Sequence, residues 1–442
     1  MVTMSIIGIF LGLALLVVLA LRGYHIVLLA LAASLVVILF SGQDVLKMMS
    51  GPYMKGFVGF AQKFYLLFFI SAVFAKTMED SGAARAIADL ILKALGAENK
   101  IRVLLAVFLI TGIITYGGIN VFVAIFVIVP IARGLFNKLN IPWHLFIIPF
   151  AWGGATITMT MIPGTPQIQN LIPTKYLGTT PMAGAAIGII AAIVTSALAY
   201  WYMTRALKAC ESAGEGYMTG EGYVTAGKSQ QPAIEVTAAN GKTRSNGWLA
   251  LLPPLGALLS MNVLKWDPLY AISLATVLTI VLFWNKYDSI LKTINQGALN
   301  TITPIMNTSA DVGFGSVVAA VSGFAVISQW LMSIPGSPTI SLAIVTNVLV
   351  AITGSASGGL GIAMEALSAK YLTTGVDPAI IHRIAAIASS GFDAMPHNGA
   401  VITFFAVAGL THRNAYKHVF FTAVLAPVGG LIAVLLLLPL LI

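Results

Sequence analysis

Apolar runs of eighteen or more residues recur along the whole chain, from Met1–Leu21 to Val419–Leu441. Each is long enough to cross a ~30 Å hydrocarbon core as a helix. In that medium every backbone amide and carbonyl must find a partner within the protein, which leaves helices for runs of this length. With 58% hydrophobic and 9% charged residues, the sequence reads as an all-α integral membrane protein. Met1–Leu21 lacks a basic leader and a small-residue cleavage site, and reads as the first spanning helix. The formal charge of +9 then reflects the Lys/Arg bias of cytoplasmic loops rather than a nucleic-acid partner. The single cysteine, Cys210, excludes a disulfide framework and a cysteine-rich metal centre, and reads as a tolerated thiol.

Several runs are broken by residues that hydrocarbon does not tolerate. The stretch Ile384–Leu410 is interrupted by Ser389-Ser390-Gly391-Phe392-Asp393-Ala394-Met395-Pro396-His397-Asn398-Gly399. Leu145–Leu177 is interrupted by Met161-Ile162-Pro163-Gly164-Thr165-Pro166-Gln167. Such breaks survive only inside protein or beside a polar cavity, so each marks a functional site at membrane depth.

The polar, Gly/Ser/Thr-rich segment 204–246 separates a first membrane repeat, 1–203, from a second, 247–442. Both halves carry the same parts in the same order. Ile110-Thr111-Gly112 precedes Gly117-Gly118, Ile352-Thr353-Gly354 precedes Gly358-Gly359, and a proline-centred break follows in each. Paired interruptions at corresponding positions mark an internally duplicated secondary transporter.

Ile101–Ala132 would make a helix of about 48 Å, too long for one modestly tilted span. Basic residues flank both of its ends (Lys100 and Arg102, Arg133 and Lys138), so it reads as a re-entrant hairpin with its tip near Thr115–Asn120. Ile340–Ala369 reads as its counterpart from the opposite side. The fold predicted is two inverted-topology repeats with two re-entrant hairpins and two broken transmembrane helices. Threading it puts both termini outside, the linker in the cytoplasm, and most of the 24 Lys/Arg inside. Lys47, Lys55 and Lys63 fall outside and suggest an amphipathic surface segment. Glu79-Asp80-Ser81-Gly82 reads as the cap of a cytoplasmic helix, and Arg413 and Lys417 with His412 and His418 as positive-inside anchors.

The predicted substrate-binding residues are Tyr116, Gly117, Gly118 and Asn120 at the first tip, with Thr165 and Gln167 in the first break. Ser355, Ser357, Gly358 and Gly359 at the second tip and Asn398 in the second break complete the set. Half-helix starts offer unpaired amides and a dipole suited to a carboxylate. The competing reading of any one Gly-Gly pair is close helix packing, and of any one proline a simple kink. The matching of the pairs and breaks between halves favours the site. Asp393 and His397, four residues apart, are the predicted proton couplers, and Asp311 is a second intramembrane acid for a proton or cation. A purely structural Asp393–His397 hydrogen bond is the alternative. No metal or other cofactor is expected, with H⁺ as the coupling ion and Na⁺ as the alternative.

Met395-Pro396-His397-Asn398-Gly399-Ala400-Val401-Ile402-Thr403, Gly354-Ser355-Ala356-Ser357 and Glu79-Asp80-Ser81-Gly82-Ala83-Ala84 resemble the gluconate permease family of the ion transporter superfamily. The resemblance runs in order through most of the chain and is specific at these three motifs. It implies proton symport of small hydroxycarboxylates across the bacterial inner membrane, with scaffold and transport domains, a homodimer and elevator-like movement. Gluconate-type members carry an acid in the first hairpin, where this chain has Gly118-Ile119-Asn120, and a His/Pro-rich first break, where it has Ile162-Pro163-Gly164-Thr165-Pro166. The Pro396-His397-Asn398-Gly399 segment is more similar to the hydroxybutyrate-permease-like branch, which implies a shorter, less hydroxylated acid. A sodium-coupled carrier, a cation/proton antiporter and a membrane-embedded hydrolase built on Asp393 and His397 are the alternatives. No nucleophile motif accompanies that pair, so no enzyme is expected.

Overall fold

The computed structural model describes residues 2–22, 24–96, 99–119, 121–217, 246–332, 337–396 and 398–441. Every regular element among them is a helix. Five are long and apolar enough to cross a membrane: Val2–Leu19, Val45–Asp80, Trp143–Met161, Ala185–Ser212 and His412–Leu440. Phe10, Leu39, Leu66, Ile193 and Leu436 point outward. Such a surface is unfavourable in water and natural in lipid.

The elements sort into two groups that draw on both halves. The long helix Val45–Asp80 packs against Pro268–Leu282, Ile290–Asn300 and Ile302–Ala320, and Val2–Leu21 pairs with Ile26–Phe40 beside them. Small residues allow these close crossings. A Cβ on Gly56 would collide with Ser316, and one on Gly297 would lie 2.7 Å from the Cα of Val73. The second group holds the interrupted elements. Trp143–Met161, Pro378–Ala388, Ala185–Ser212 and Ala426–Leu441 pack together, with helix pairs 100–138 and 338–372 alongside.

Both suspected hairpins are helix–turn–helix units. The first runs Lys100–Tyr116 and Val121–Lys138, the second Pro338–Thr353 and Ala356–Leu372. Gly118 (φ +105°) and Gly354 (φ +60°) make turns that side chains resist. The first broken helix widens to π geometry over Ala151–Met161 and ends at Ile162, whose backbone is extended. The second stops at Ala388 and restarts at Gly399.

Three sequence expectations change. Lys47, Lys55 and Lys63 do not lie on a surface segment of their own; they lie along the one helix Val45–Asp80, which passes through π geometry at Met49–Tyr53, where Pro52 sits. At 36 residues it is about 54 Å long and must project beyond the hydrocarbon core, where lysines are solvated. The helix expected to close the first half near Met203 continues to Ser212, and residues 218–245 of the linker lie outside the described residues. His418, read as an interfacial anchor, is 3% exposed and bonded to His144.

Candidate functional site

In each half the same three parts meet: a hairpin tip, a helix break and a long helix of the neighbouring group. In the second half they enclose a cavity of about 70 Å³. The tip contributes Gly354, Ser355, Ala356 and Ser357, the break Asp393 and Asn398, and helix Ile302–Ala320 contributes Asn307, Thr308 and Asp311. Gln169 enters from the first half, and Val121, Ala155, Met159 and Phe404 supply apolar wall.

Local chemistry fixes these positions. Ser355 caps helix Ala356–Leu372, its Oγ accepting from the Gly358 amide at 3.2 Å while its carbonyl accepts from Gly359. The amides of Ala356 and Ser357, first in the helix, have no intrahelical partner, and both residues line the cavity at the positive end of the helix dipole. Ser357 Oγ lies 3.5 Å from Ser355 Oγ. Asn398 holds the break in shape, donating to the Asp393 carbonyl at 2.9 Å and accepting from the Val401 amide at 2.9 Å. Tyr416 and His412 anchor the same loop through the carbonyls of Ala394 and Pro396.

Asp311 is 5% exposed on its helix. Asp393 is half-buried and lines the same cavity. Two cavity-lining amides have orphaned acceptors: Asn307 Oδ1 and Gln169 Oε1 are buried without a hydrogen bond among the described residues. Unpaired buried carbonyls are costly and call for a donor or a cation.

In the first half the matching parts leave only a cavity of about 10 Å³, lined by Gly118, Gln167 and the apolar Leu67 and Phe68. Gln167 Nε2 donates to the carbonyls of Thr115 at 2.6 Å and Ile119 at 3.1 Å, clasping the break to the tip. Tyr116 adds a bond from its hydroxyl to the Pro163 carbonyl at 3.1 Å. Thr165 is fully buried, accepting from the Gln167 amide. A Cβ on Gly117 would sit 2.4 Å from Pro254.

The residues singled out in the sequence therefore divide. Ser355, Ser357, Asn398, Asp393 and Asp311 line one cavity. Tyr116, Gly117, Gly118, Thr165 and Gln167 form the clasped first-half junction and do not reach it. Gly358 and Gly359 lie behind the second tip, where a Cβ on Gly359 would be 2.4 Å from the Cα of Val350. Asn120 and His397 lie outside the described residues.

Sequence reading missed Gln169, Asn307 and Thr308, whose polarity inside apolar segments was the available signal. It also missed Arg383, a fully buried guanidinium on helix Pro378–Ala388. Arg383 donates to the carbonyls of Ala183 (2.9 Å), Pro181 (3.0 Å), Thr160 and Met161 (both 3.4 Å), joining the second-half broken helix to the first-half break.

A multi-pass helical membrane protein with broken helices around a buried polar cavity is built as a transporter is built. The chain belongs to the citrate transporter family (CitMHS) of the ion transporter superfamily, whose model matches residues 13–309. It is 34% identical to the "Uncharacterized transporter YxjC" of Bacillus subtilis over 94% of this chain and 95% of that one. It is 27% identical to an "Uncharacterized transporter" of Haemophilus influenzae, over 77% of this chain and 75% of that one. The family model that matches is that of the citrate transporters, where the sequence motifs resemble the gluconate permeases.

Proposed function

We propose that this protein is a proton symporter for a small hydroxycarboxylate, bound in the second-half cavity. One observation carries the reading: the start of helix Ala356–Leu372, with the hydroxyls of Ser355 and Ser357, opens into the same small space as Asp311 and Asp393. The helix start suits a carboxylate, and the hydroxyls suit its oxygens. The two aspartates oppose it. Like charges ~4 Å apart repel by about 4 kcal/mol at an effective dielectric of 20, more than the roughly 1.5–3 kcal/mol that a hydrogen bond to a charged group returns. An organic anion therefore enters only when the aspartates are neutralised, and protons are the simplest means. Substrate and proton bind together, which is the essence of symport.

The family description supplies citrate as one candidate cargo. The cavity of about 70 Å³ and the hydroxybutyrate-permease-like motif favour a shorter hydroxymonocarboxylate. The reading carries with it inverted repeats, re-entrant hairpins, an elevator-like homodimer, external termini and a place in the bacterial cytoplasmic membrane.

Proteoliposome uptake of 3-hydroxybutyrate, lactate, gluconate and citrate under an inward proton gradient tests it. Concentrative uptake of at least one acid should vanish with a protonophore, and Asp393→Asn or Asp311→Asn should reduce it to the level seen without a gradient. Uptake indifferent to the gradient, or to both substitutions, overturns the coupling.

The orphaned Asn307 Oδ1 and Gln169 Oε1 favour a second reading, in which a hard cation such as Na⁺ joins Asp311. A sodium requirement at fixed pH would establish that reading in place of the first.

A further inference from the structure

Away from the cavity, at the linker end of helix Ala185–Ser212, three side chains of different chemistry converge. His144 Nε2 lies 3.1 Å from Glu215 Oε2 and 3.9 Å from Cys210 Sγ, and the three ligand atoms all lie within 4.8 Å of one another. His144 and Cys210 are buried, while Glu215 is partly exposed and gives a route in. None of the three lines the transport cavity.

His144 sits in a hydrogen-bonded chain that can run either way. Its Nδ1 meets His418 Nε2 at 3.0 Å, and His418 Nδ1 meets the Tyr202 hydroxyl at 2.9 Å, with the Lys417 carbonyl 3.5 Å from the same hydroxyl. One proton lies in each contact when Tyr202 donates to His418, His418 Nε2 to His144 Nδ1, and His144 Nε2 to Glu215. Reversed, the same three protons leave His144 donating to His418, His418 to Tyr202 and Tyr202 to Lys417, and Nε2 then has a lone pair for a metal ion.

We propose that His144 Nε2, Cys210 Sγ and Glu215 Oε2 form a binding site for a divalent, thiophilic cation of the Zn²⁺ class. Tetrahedral zinc with bonds of ~2.0–2.3 Å puts neighbouring N, O and S ligands about 3.3–3.7 Å apart, so the set needs only small shifts to close on an ion. A solvent molecule fills the fourth position. The His144 Nδ1–His418 contact is the outer hydrogen bond that fixes tautomer and ring orientation in metal-bound histidines. On binding, the Cys210 thiol loses its proton to solvent and the thiolate takes the metal. The ion would tie the start of the first broken helix to the last turn of Ala185–Ser212 and to the residue that leads into the linker, with His418 of the second half buttressing it.

The test uses the full chain in detergent, tag removed and stripped with chelator. Titration with Co²⁺ should produce a thiolate-to-cobalt charge-transfer band, abolished by one equivalent of Zn²⁺ per chain. Cys210→Ser, nearly isosteric, should lose the band. Glu215→Gln and His144→Gln should each weaken Zn²⁺ binding at least tenfold, and His418→Gln should weaken it about 10–100-fold while keeping the band. A monodisperse elution peak checks the fold of each variant. Absence of the band in the unaltered chain, its survival in Cys210→Ser, or Zn²⁺ affinity unchanged in Glu215→Gln and His144→Gln overturns the site and leaves a His144–Glu215 hydrogen bond.

Discussion

The Nε of Arg383 donates to the carbonyl of Ala183 at 2.9 Å, so a side chain of the second half is anchored in backbone of the first. Three more carbonyls, of Pro181, Thr160 and Met161, close around the same guanidinium, and no carboxylate pairs with it among the described residues. The charge is balanced by dipoles at the end of helix Trp143–Met161, where carbonyls would otherwise be orphaned. Arg383→Met should cost about 3 kcal/mol or more, since several buried acceptors lose their donors together. Thermal unfolding in detergent checks this, and an unchanged midpoint would sink it. Arg383→Lys should recover only part of the loss, because a point charge cannot serve four carbonyls in the guanidinium's planar fork.

Ser355 and Ser357 are neighbours in the cavity with different duties. Ser355→Ala removes a helix cap and should cost about 1 kcal/mol of stability. Ser357→Ala removes a hydroxyl that caps nothing, so it should leave stability within about 0.5 kcal/mol while raising the substrate KM. Equal effects on both quantities in both variants would contradict the division.

The two arms of the second hairpin meet at Gly359, where an added Cβ would lie 2.6 Å from the Val350 amide nitrogen. Backbone cannot step aside as a side chain can. Gly359→Ala should cost about 1–3 kcal/mol and displace the tip that carries Ser355 and Ser357. Melting and uptake, measured together, should both fall; normal uptake would show that the tip tolerates the shift.

Gln167→Leu keeps the bulk of the first-half clasp and deletes both donors. Thr115 and Ile119 would then each hold a buried carbonyl without that partner, at about 1–3 kcal/mol apiece. Hydrogen exchange should quicken at residues 113–119 and not at 353–359. Uniform quickening across both tips would mean that the clasp acts globally.

The breaks and tips were legible in the sequence because Gly, Pro and polar residues interrupt apolar runs locally, and the helices stop at Tyr116, Met161, Thr353 and Ala388 accordingly. What local pattern does not contain is which interruption faces which. Gln167 and Gln169 sit two residues apart, yet one stitches the first junction and the other reaches the second-half cavity. Gly117 and Gly359 read as binding residues, but a glycine in contact with a neighbouring helix looks the same in sequence as one beside a ligand. The His144, Cys210 and Glu215 set was invisible for the same reason: 66 and 71 residues separate His144 from its partners. Arg383 was the readable omission, a charge inside an apolar helix whose cost alone should have marked it.

The two junctions are not equally fastened. In the first half Gln167 bonds break to tip twice, whereas in the second half Asn398 spends both its bonds within its own loop. For an alternating-access carrier built from such halves, that inequality is a resting bias. Reversing the roles of the two junctions means giving up two bonds, and the described residues of the second junction hold no equivalent pair. A net difference of about 1.4 kcal/mol already weights the empty carrier tenfold toward one orientation. The cargo must then supply, through its own contacts, the free energy that sends the carrier across.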